Sequence, residues 1–214
     1  MIADLRRYPD RVQMTRGKLV AAALAAVVGI GAVVALLASR DDGQSGYAGG
    51  LLPPQIPIKP FSLRDETGSP ISLDRVKGGP SLLTFLYSTC PDTCPLTAQQ
   101  IRGAMDQARH DVPVIAISVD PERDTPEAVR EWLASEHLEG RMHWGLGTRA
   151  ELERVWKDYA VLGQSTASDH SAYVFLLDRD GRRCVSWPVA HLTPEGLAHD
   201  LKAIAARGGR CNNA

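Results

Sequence analysis

The sequence has almost no net charge: 24 Lys and Arg stand against 25 Asp and Glu, leaving −1. No basic stripe gathers along the chain, so the electrostatic footprint of a nucleic-acid-binding protein is missing. No internal repeat and no low-complexity stretch occur outside one short linker. The 214 residues therefore read as one domain with additions. Cysteine is scarce, at four residues: Cys90, Cys94, Cys184 and Cys211. Four cysteines permit three pairings, and an even count permits disulfides only on a chain that leaves the cytosol. Apolar residues are not lacking. They make up 44% of the chain, enough for an ordinary globular core.

Residues 19–38, LVAAALAAVVGIGAVVALLA, contain no charged or strongly polar side chain. Twenty residues rising about 1.5 Å each span roughly 30 Å, the thickness of a hydrocarbon core. Arg6, Arg7, Arg11, Arg16 and Lys18 precede this stretch, and only Arg40 and then Asp41 and Asp42 follow it. The positive-inside rule places residues 1–18 in the cytoplasm, 19–38 across the bilayer as an anchor, and the C-terminal part on the extracytoplasmic side. A buried soluble helix would need a polar face, and none is present. A cleaved export signal is the competing reading, with small residues near Ala38 as its cleavage site. The absence of a cysteine after the apolar run argues against a lipoprotein anchor.

Residues 39–54, rich in Asp, Gly, Ser and Pro, read as a flexible linker, and the domain is expected to occupy 55–214. Ile56, Ile58, Phe61 and Leu63, then Ile71 and Leu73, predict short strands around a turn at 66–70. The continuous apolar runs at 81–87 and 112–119 predict buried parallel strands. Apolar residues from Ala98 through Ile101, Ala104, Met105 and Ala108 recur at helical spacing. Three further helices announce their starts. Thr125-Pro126-Glu127 and Thr193-Pro194-Glu195 each give an N-cap, a proline in the first turn and an acid. Thr148 with Glu151 forms a capping box. Asp178-Arg179-Asp180-Gly181 predicts the turn of a late hairpin. The order, a hairpin, then β-α-β-α-β-α, then a hairpin and a last helix, predicts an α/β protein of thioredoxin-like fold with an N-terminal β-hairpin extension.

The chemistry concentrates at Cys90-Pro91-Asp92-Thr93-Cys94-Pro95, between the first buried strand and the first helix, where α/β sheets place their ligand sites. Cys94 is expected at or beside the helix N-cap, where the partial positive charge favours thiolate. Three intervening residues leave room for an ion between the sulfurs, while a disulfide remains geometrically open. Two soft thiolates suit Cu(I) or Zn(II). An inert structural disulfide is the bland alternative. A third ligand would be sought among six histidines, His110, His137, His143, His170, His191 and His199. His170 stands apart because it ends the loop at 163–169 and precedes the strand at 171–177, but spacing alone leaves the choice open. Asp120 ends the second buried strand and is a candidate to hydrogen-bond near the site, or else a turn residue before Pro121. Arg123 and Asp124 read as a solvated turn or as recognition charges.

Three segments in order, STCPDTCP at 88–95, SVDPERDTPE at 118–127 and DHSAYVFLLDRDGR at 169–182, resemble the signature segments of the Sco (SenC) family. FSLRDETGSPISL at 61–73 resembles that family's N-terminal hairpin. The resemblance implies a thioredoxin-like fold behind a single membrane anchor. It also implies copper, as Cu(I) or Cu(II), held by Cys90, Cys94 and His170. The implied role is that of a metallochaperone rather than an enzyme, receiving copper from an unidentified donor. It would pass the ion to the binuclear copper centre in subunit II of cytochrome c oxidase. The alternative is a thiol–disulfide oxidoreductase using Cys90 and Cys94 to reduce the cysteines of that centre. A peroxidase fits less well, because no Thr and Arg arrangement can be placed around a peroxidatic cysteine. Cys184 and Cys211 lie outside the family motif and are a candidate structural disulfide, with two unpaired thiols as the alternative.

Overall fold

The computed structural model describes residues 46–54, 56–57, 59–163 and 173–211. The expected anchor at 19–38, the expected cytoplasmic segment and His170 lie outside the described residues. Among the described residues, no helix is long and apolar enough to cross a membrane.

The two apolar runs form the centre of the sheet. Strand β4 (Ser81–Leu86) and strand β5 (Val114–Ser118) are buried along their whole length, as expected for strands covered on both faces. They pair in parallel, Leu82 opposite Val114 and Leu86 opposite Ser118. The crossover between them is helix α1 (Thr93–Ala108). Helix α2 (Pro126–Ser135) leads to strand β6 (Met142–Gly145), which pairs in parallel with β5. Helix α3 (Arg149–Tyr159) follows. Strand β7 (Tyr173–Leu177) then pairs antiparallel with β4, and β8 (Arg183–Pro188) antiparallel with β7. Helix α4 (Pro194–Ala206) is the last helix among the described residues. With the short β1 (Gly50–Leu51), the strand order is β1-β8-β7-β4-β5-β6. A separate hairpin, β2 (Ser62–Arg64) with β3 (Pro70–Ser72), docks on β6 through a bridge between Arg64 and Leu146.

The caps expected at Thr125, Thr148 and Thr193 are present. Each side-chain oxygen accepts a backbone N–H of its helix's first turn, and Thr148 and Glu151 complete the reciprocal box. On one face of the sheet α1 packs with α4; Pro194 sits so near Gly103 that a Cβ there would lie 3.3 Å from it. Elsewhere in the core Phe85 of β4 meets Tyr159 of α3 and Phe175 of β7. The last hairpin turns at Gly181, whose φ of +85° suits a residue without a Cβ.

The fold begins earlier than the composition of residues 39–54 predicts. Tyr47 is buried, its hydroxyl donates to the Cys211 carbonyl at 3.0 Å, and Gly50 and Leu51 add β1 to the edge of β8. The backbone N–H groups of Ala48 and Gly49 donate to the fully buried carboxylate of Asp200 in α4, at 2.5 and 3.0 Å, and Trp187 donates its indole N–H to the same group at 2.9 Å. A Gly/Ser-rich segment reads as a linker because its own side chains bury little. Here the partners that hold it come from β8 and α4, more than 130 residues away in sequence.

Candidate metal centre

β4 and β5 run in parallel, so their carboxyl ends share one edge of the sheet. From β4 the chain turns through Tyr87, Ser88 and Thr89 to Cys90, whose N–H donates to the Tyr87 carbonyl at 3.2 Å. Asp92 caps α1 by accepting the Thr93 N–H, so Cys94 is the second residue of the helix. Its N–H, one of the helix's unsatisfied donors, donates to Cys90 Sγ at 3.3 Å. The three-residue spacing therefore brings the Cys90 sulfur over the end of α1. Both cysteines are free thiols here, and both are buried, Cys90 at 5% exposure and Cys94 at 0%.

The sulfurs differ in charge, and not in the way the sequence predicts. The hydrogen bond from the Cys94 thiol, with the N–H groups of Cys94 and Asp92 and the Tyr87 side chain, outweighs burial at Cys90 and pulls its pKa down to about 5. Cys94 moves the opposite way. It keeps its proton, donating its S–H as a hydrogen bond to the Cys90 sulfur, and is buried, and both effects raise its pKa. The helix end does favour a thiolate, but the thiolate it favours is Cys90, because that sulfur, not Cys94's own, receives the N–H. Burial, and then its hydrogen bond with Cys90, raise the Tyr87 phenol.

Two soft sulfurs within one hydrogen bond, one of them anionic at neutral pH, are a donor set that fits a thiophilic ion. The same pair fits thiol–disulfide exchange, with Cys90 as the nucleophile. The loop that would bring His170 lies outside the described residues. It follows Gly163, where an added Cβ would lie 2.3 Å from the Trp156 ring. Trp156 donates its indole N–H to the Ser118 carbonyl at the end of β5, at 2.8 Å. Gly163 is thus held against a tryptophan that is itself bonded to the end of β5.

Asp120 is buried and faces Arg123 at 3.5 Å, with burial raising its pKa. The residue that departs from its sequence reading, a solvated turn or a recognition charge, is Asp124. It is 4% exposed, and its carboxylate accepts the Ser88 N–H and Ser88 hydroxyl, both at 2.7 Å, and the Ser118 hydroxyl at 2.5 Å. Asp124 sits among Glu, Arg, Asp and Thr in a run that reads as a solvated turn. Its only sequence signal is the pair of serines, at 88 and 118, that end up facing it.

Cys184, at the start of β8, and Cys211, after α4, are joined in a disulfide with Cα atoms 5.3 Å apart, within the usual span. Asp65, Glu66 and His143 also bring ligand-type atoms within 4.8 Å of one another. Their hydrogen bonds are already spent locally: Glu66 takes the Trp144 N–H at 2.8 Å and meets His143 Nδ1 at 3.1 Å, and Asp65 takes the N–H groups of Thr67 and Ser69. This cluster ties the hairpin to β6.

Known proteins place this arrangement in a family. The SCO1/SenC family profile matches residues 52–206, and the chain belongs to that family. Protein SenC of Rhodobacter capsulatus is 33% identical over 168 residues, covering 73% of this chain and 75% of its own length. Among solved structures, Arabidopsis thaliana ScoI with copper bound aligns at 28% identity with a TM-score of 0.63, over 69% of this chain and 98% of that one. Bradyrhizobium japonicum ScoI with copper bound aligns at 35% identity with a TM-score of 0.55, over 68% and 97%. The mixed α/β fold matches theirs.

Proposed function

We propose that this protein is a copper-binding chaperone that holds its ion with Cys90, Cys94 and His170 and passes it to the binuclear copper site of cytochrome c oxidase subunit II. The observation that carries the reading is the pair of reduced, adjacent sulfurs at the end of β4, one of them held as thiolate. Family membership supports it, as do the copper-bound relatives. Residues 19–38 are assigned as the anchor, with the domain on the extracytoplasmic side, on the strength of their length, apolarity and flanking charge. The roles follow from coordination chemistry. Two thiolates select a soft ion, and an imidazole adds the nitrogen that Cu(II) prefers. Three ligands leave a position through which a receiving site can take over the ion.

The test is to bind copper to His170→Ala, Cys90→Ser and Cys94→Ser and to assay oxidase assembly in cells. Either cysteine change should remove most high-affinity binding. His170→Ala should weaken Cu(I) and cost more for Cu(II), and all three should lose the oxidase copper centre. A His170→Ala protein that binds both copper states like wild type and still supports assembly would sink the three-ligand site.

A second reading, a reductase of the oxidase cysteines, is favoured by one observation: the asymmetry of an anionic Cys90 beside a protonated Cys94, which suits attack and resolution in disulfide exchange. Thiol–disulfide exchange has no need of an imidazole ligand, so His170→Ala separates the two.

A further inference from the structure

We propose that Asp124 is a positioning residue for the cysteine pair, acting through Ser88 to hold Cys90 in register with Cys94. The inference rests on the same pair as the copper reading, but its test uses no metal, so either can fail without the other.

The two sulfurs reach their places by different routes. Cys94 is built into α1, fixed by the Asp92 cap and by the burial of Ala98, Ile101 and Met105 along the helix. Cys90 lies in a loop, and its position depends on what holds the three residues between Leu86 and itself. Tyr87 follows β4 directly. Ser88 is next, and both its N–H and its hydroxyl donate to the same Asp124 oxygen, Oδ1, while Oδ2 takes the hydroxyl of Ser118. One carboxylate thus rivets the cysteine loop to the last residue of β5. Ser118 is itself held, since the Trp156 indole N–H donates to its carbonyl. The turn carrying Asp124 is closed by its own N–H and that of Arg123, both donating to the Asp120 carbonyl. Anchor and rivet are therefore both fixed to the sheet. Burying a carboxylate costs stability unless it is fully hydrogen-bonded. With three donors on two oxygens this one is well satisfied, and charged acceptors make the stronger bonds.

The quantity that reports such positioning is the effective concentration of one sulfur at the other. It is read from the equilibrium with glutathione disulfide. The Cys90 thiolate attacks one glutathione sulfur and releases glutathione thiolate. Cys94 then attacks the mixed disulfide, gives up its proton, and releases the second glutathione. Two electrons pass from the protein sulfurs to the two glutathione sulfurs, and the products are the protein disulfide, one glutathione thiol and one thiolate.

The experiment uses the full-length, metal-free chain in glutathione redox buffers, with alkylation and peptide mapping at Cys90 and Cys94 so that Cys184 and Cys211 do not enter the signal. Asp124→Ala should shift the equilibrium about tenfold toward the dithiol, or about 30 mV. Asp124→Asn, which keeps Oδ1 as the acceptor for both Ser88 bonds, should stay within about twofold of wild type, and so should Ser118→Ala. Ser88→Ala, which loses one of the two bonds, should fall between, at about threefold. An unshifted equilibrium in folded Asp124→Ala would overturn the proposal, because a residue that only stabilises the fold changes the melting temperature and not this constant. Equal shifts in Asp124→Asn and Asp124→Ala would assign the effect to charge and overturn it too. Should Asp124→Ala fail to fold, Ser88→Ala carries the test: no shift there refutes the proposal.

Discussion

The protein holds two cysteine pairs at opposite ends of one sheet. Cys90 and Cys94 lie past the carboxyl end of β4, while Cys184 opens β8, which runs in the same direction as β4. At one end the sulfurs are four residues apart, reduced, and placed on a helix terminus that stabilises a thiolate. At the other they are 27 residues apart in sequence and joined. The contrast separates two uses of one residue type. A nearby pair on a loop and a helix end closes little chain entropy and gains reactivity from its electrostatic setting. A distant pair between a strand and the segment after α4 constrains the unfolded chain instead.

The largest effect that tests this contrast is in metal binding. Cys94→Ser should lower copper affinity by orders of magnitude, whereas the double change Cys184→Ser/Cys211→Ser should leave it within about threefold, as measured by competition with a copper chelator. Comparable losses in both would show that the two pairs are not separate devices. The order reverses for stability. The double change opens a loop of 27 residues and should cost about 3–4 kcal/mol in the chain-entropy account, read from denaturant midpoints. Cys94→Ser should cost much less, because no bridge is lost. A third difference is in pH dependence, which only the reactive pair confers. Cys90's pKa is depressed from 9.0 to about 5 in the fold. Between those values the unfolded chain binds the proton and the folded chain does not. This site's contribution to the stability of the reduced, metal-free protein therefore rises with pH across that window and is lost as pH falls through about 5. Above about 9 the raised pKa of Cys94 reverses the slope, since the folded state then keeps a proton that the unfolded state releases. Cys90→Ser should flatten the rising limb. A Cys90→Ser profile that climbs as steeply as wild type between pH 5 and 9 would show that Cys90 carries no depressed pKa.

How legible each region was follows from how local its signals are. The helix starts at Thr125, Thr148 and Thr193 were readable because an N-cap is decided by residues within one turn. The buried strands at 81–86 and 114–118 were readable because strands covered on both faces leave unbroken apolar runs. The place of the cysteine loop followed from the strand-to-helix order around it. What required the structure is non-local. Whether Cys90 or Cys94 bears the charge depends on which sulfur an N–H reaches, and residue spacing does not encode that direction. Asp124 looks like a surface acid until Ser88, 36 residues earlier, folds against it. Tyr47 and the glycines near it look like linker until Asp200 arrives from α4.

That last contact has a mechanical consequence. The chain enters the domain at Gly46, beside Arg207 near the end of α4. The Asp200 clamp, the Tyr47 bond to Cys211 and the β1–β8 pairing follow within six residues. Tension arriving along the preceding chain therefore passes into β8, α4 and the disulfide that joins their ends. The load enters at the sheet edge and at α4, and β4 and α1, which carry Cys90 and Cys94, meet it only through the pairing of β4 with β7 and the packing of α1 on α4. A pull on Gly46 is thus shared first among β8, α4 and the Cys184–Cys211 bridge before it reaches the elements that hold the two reactive sulfurs.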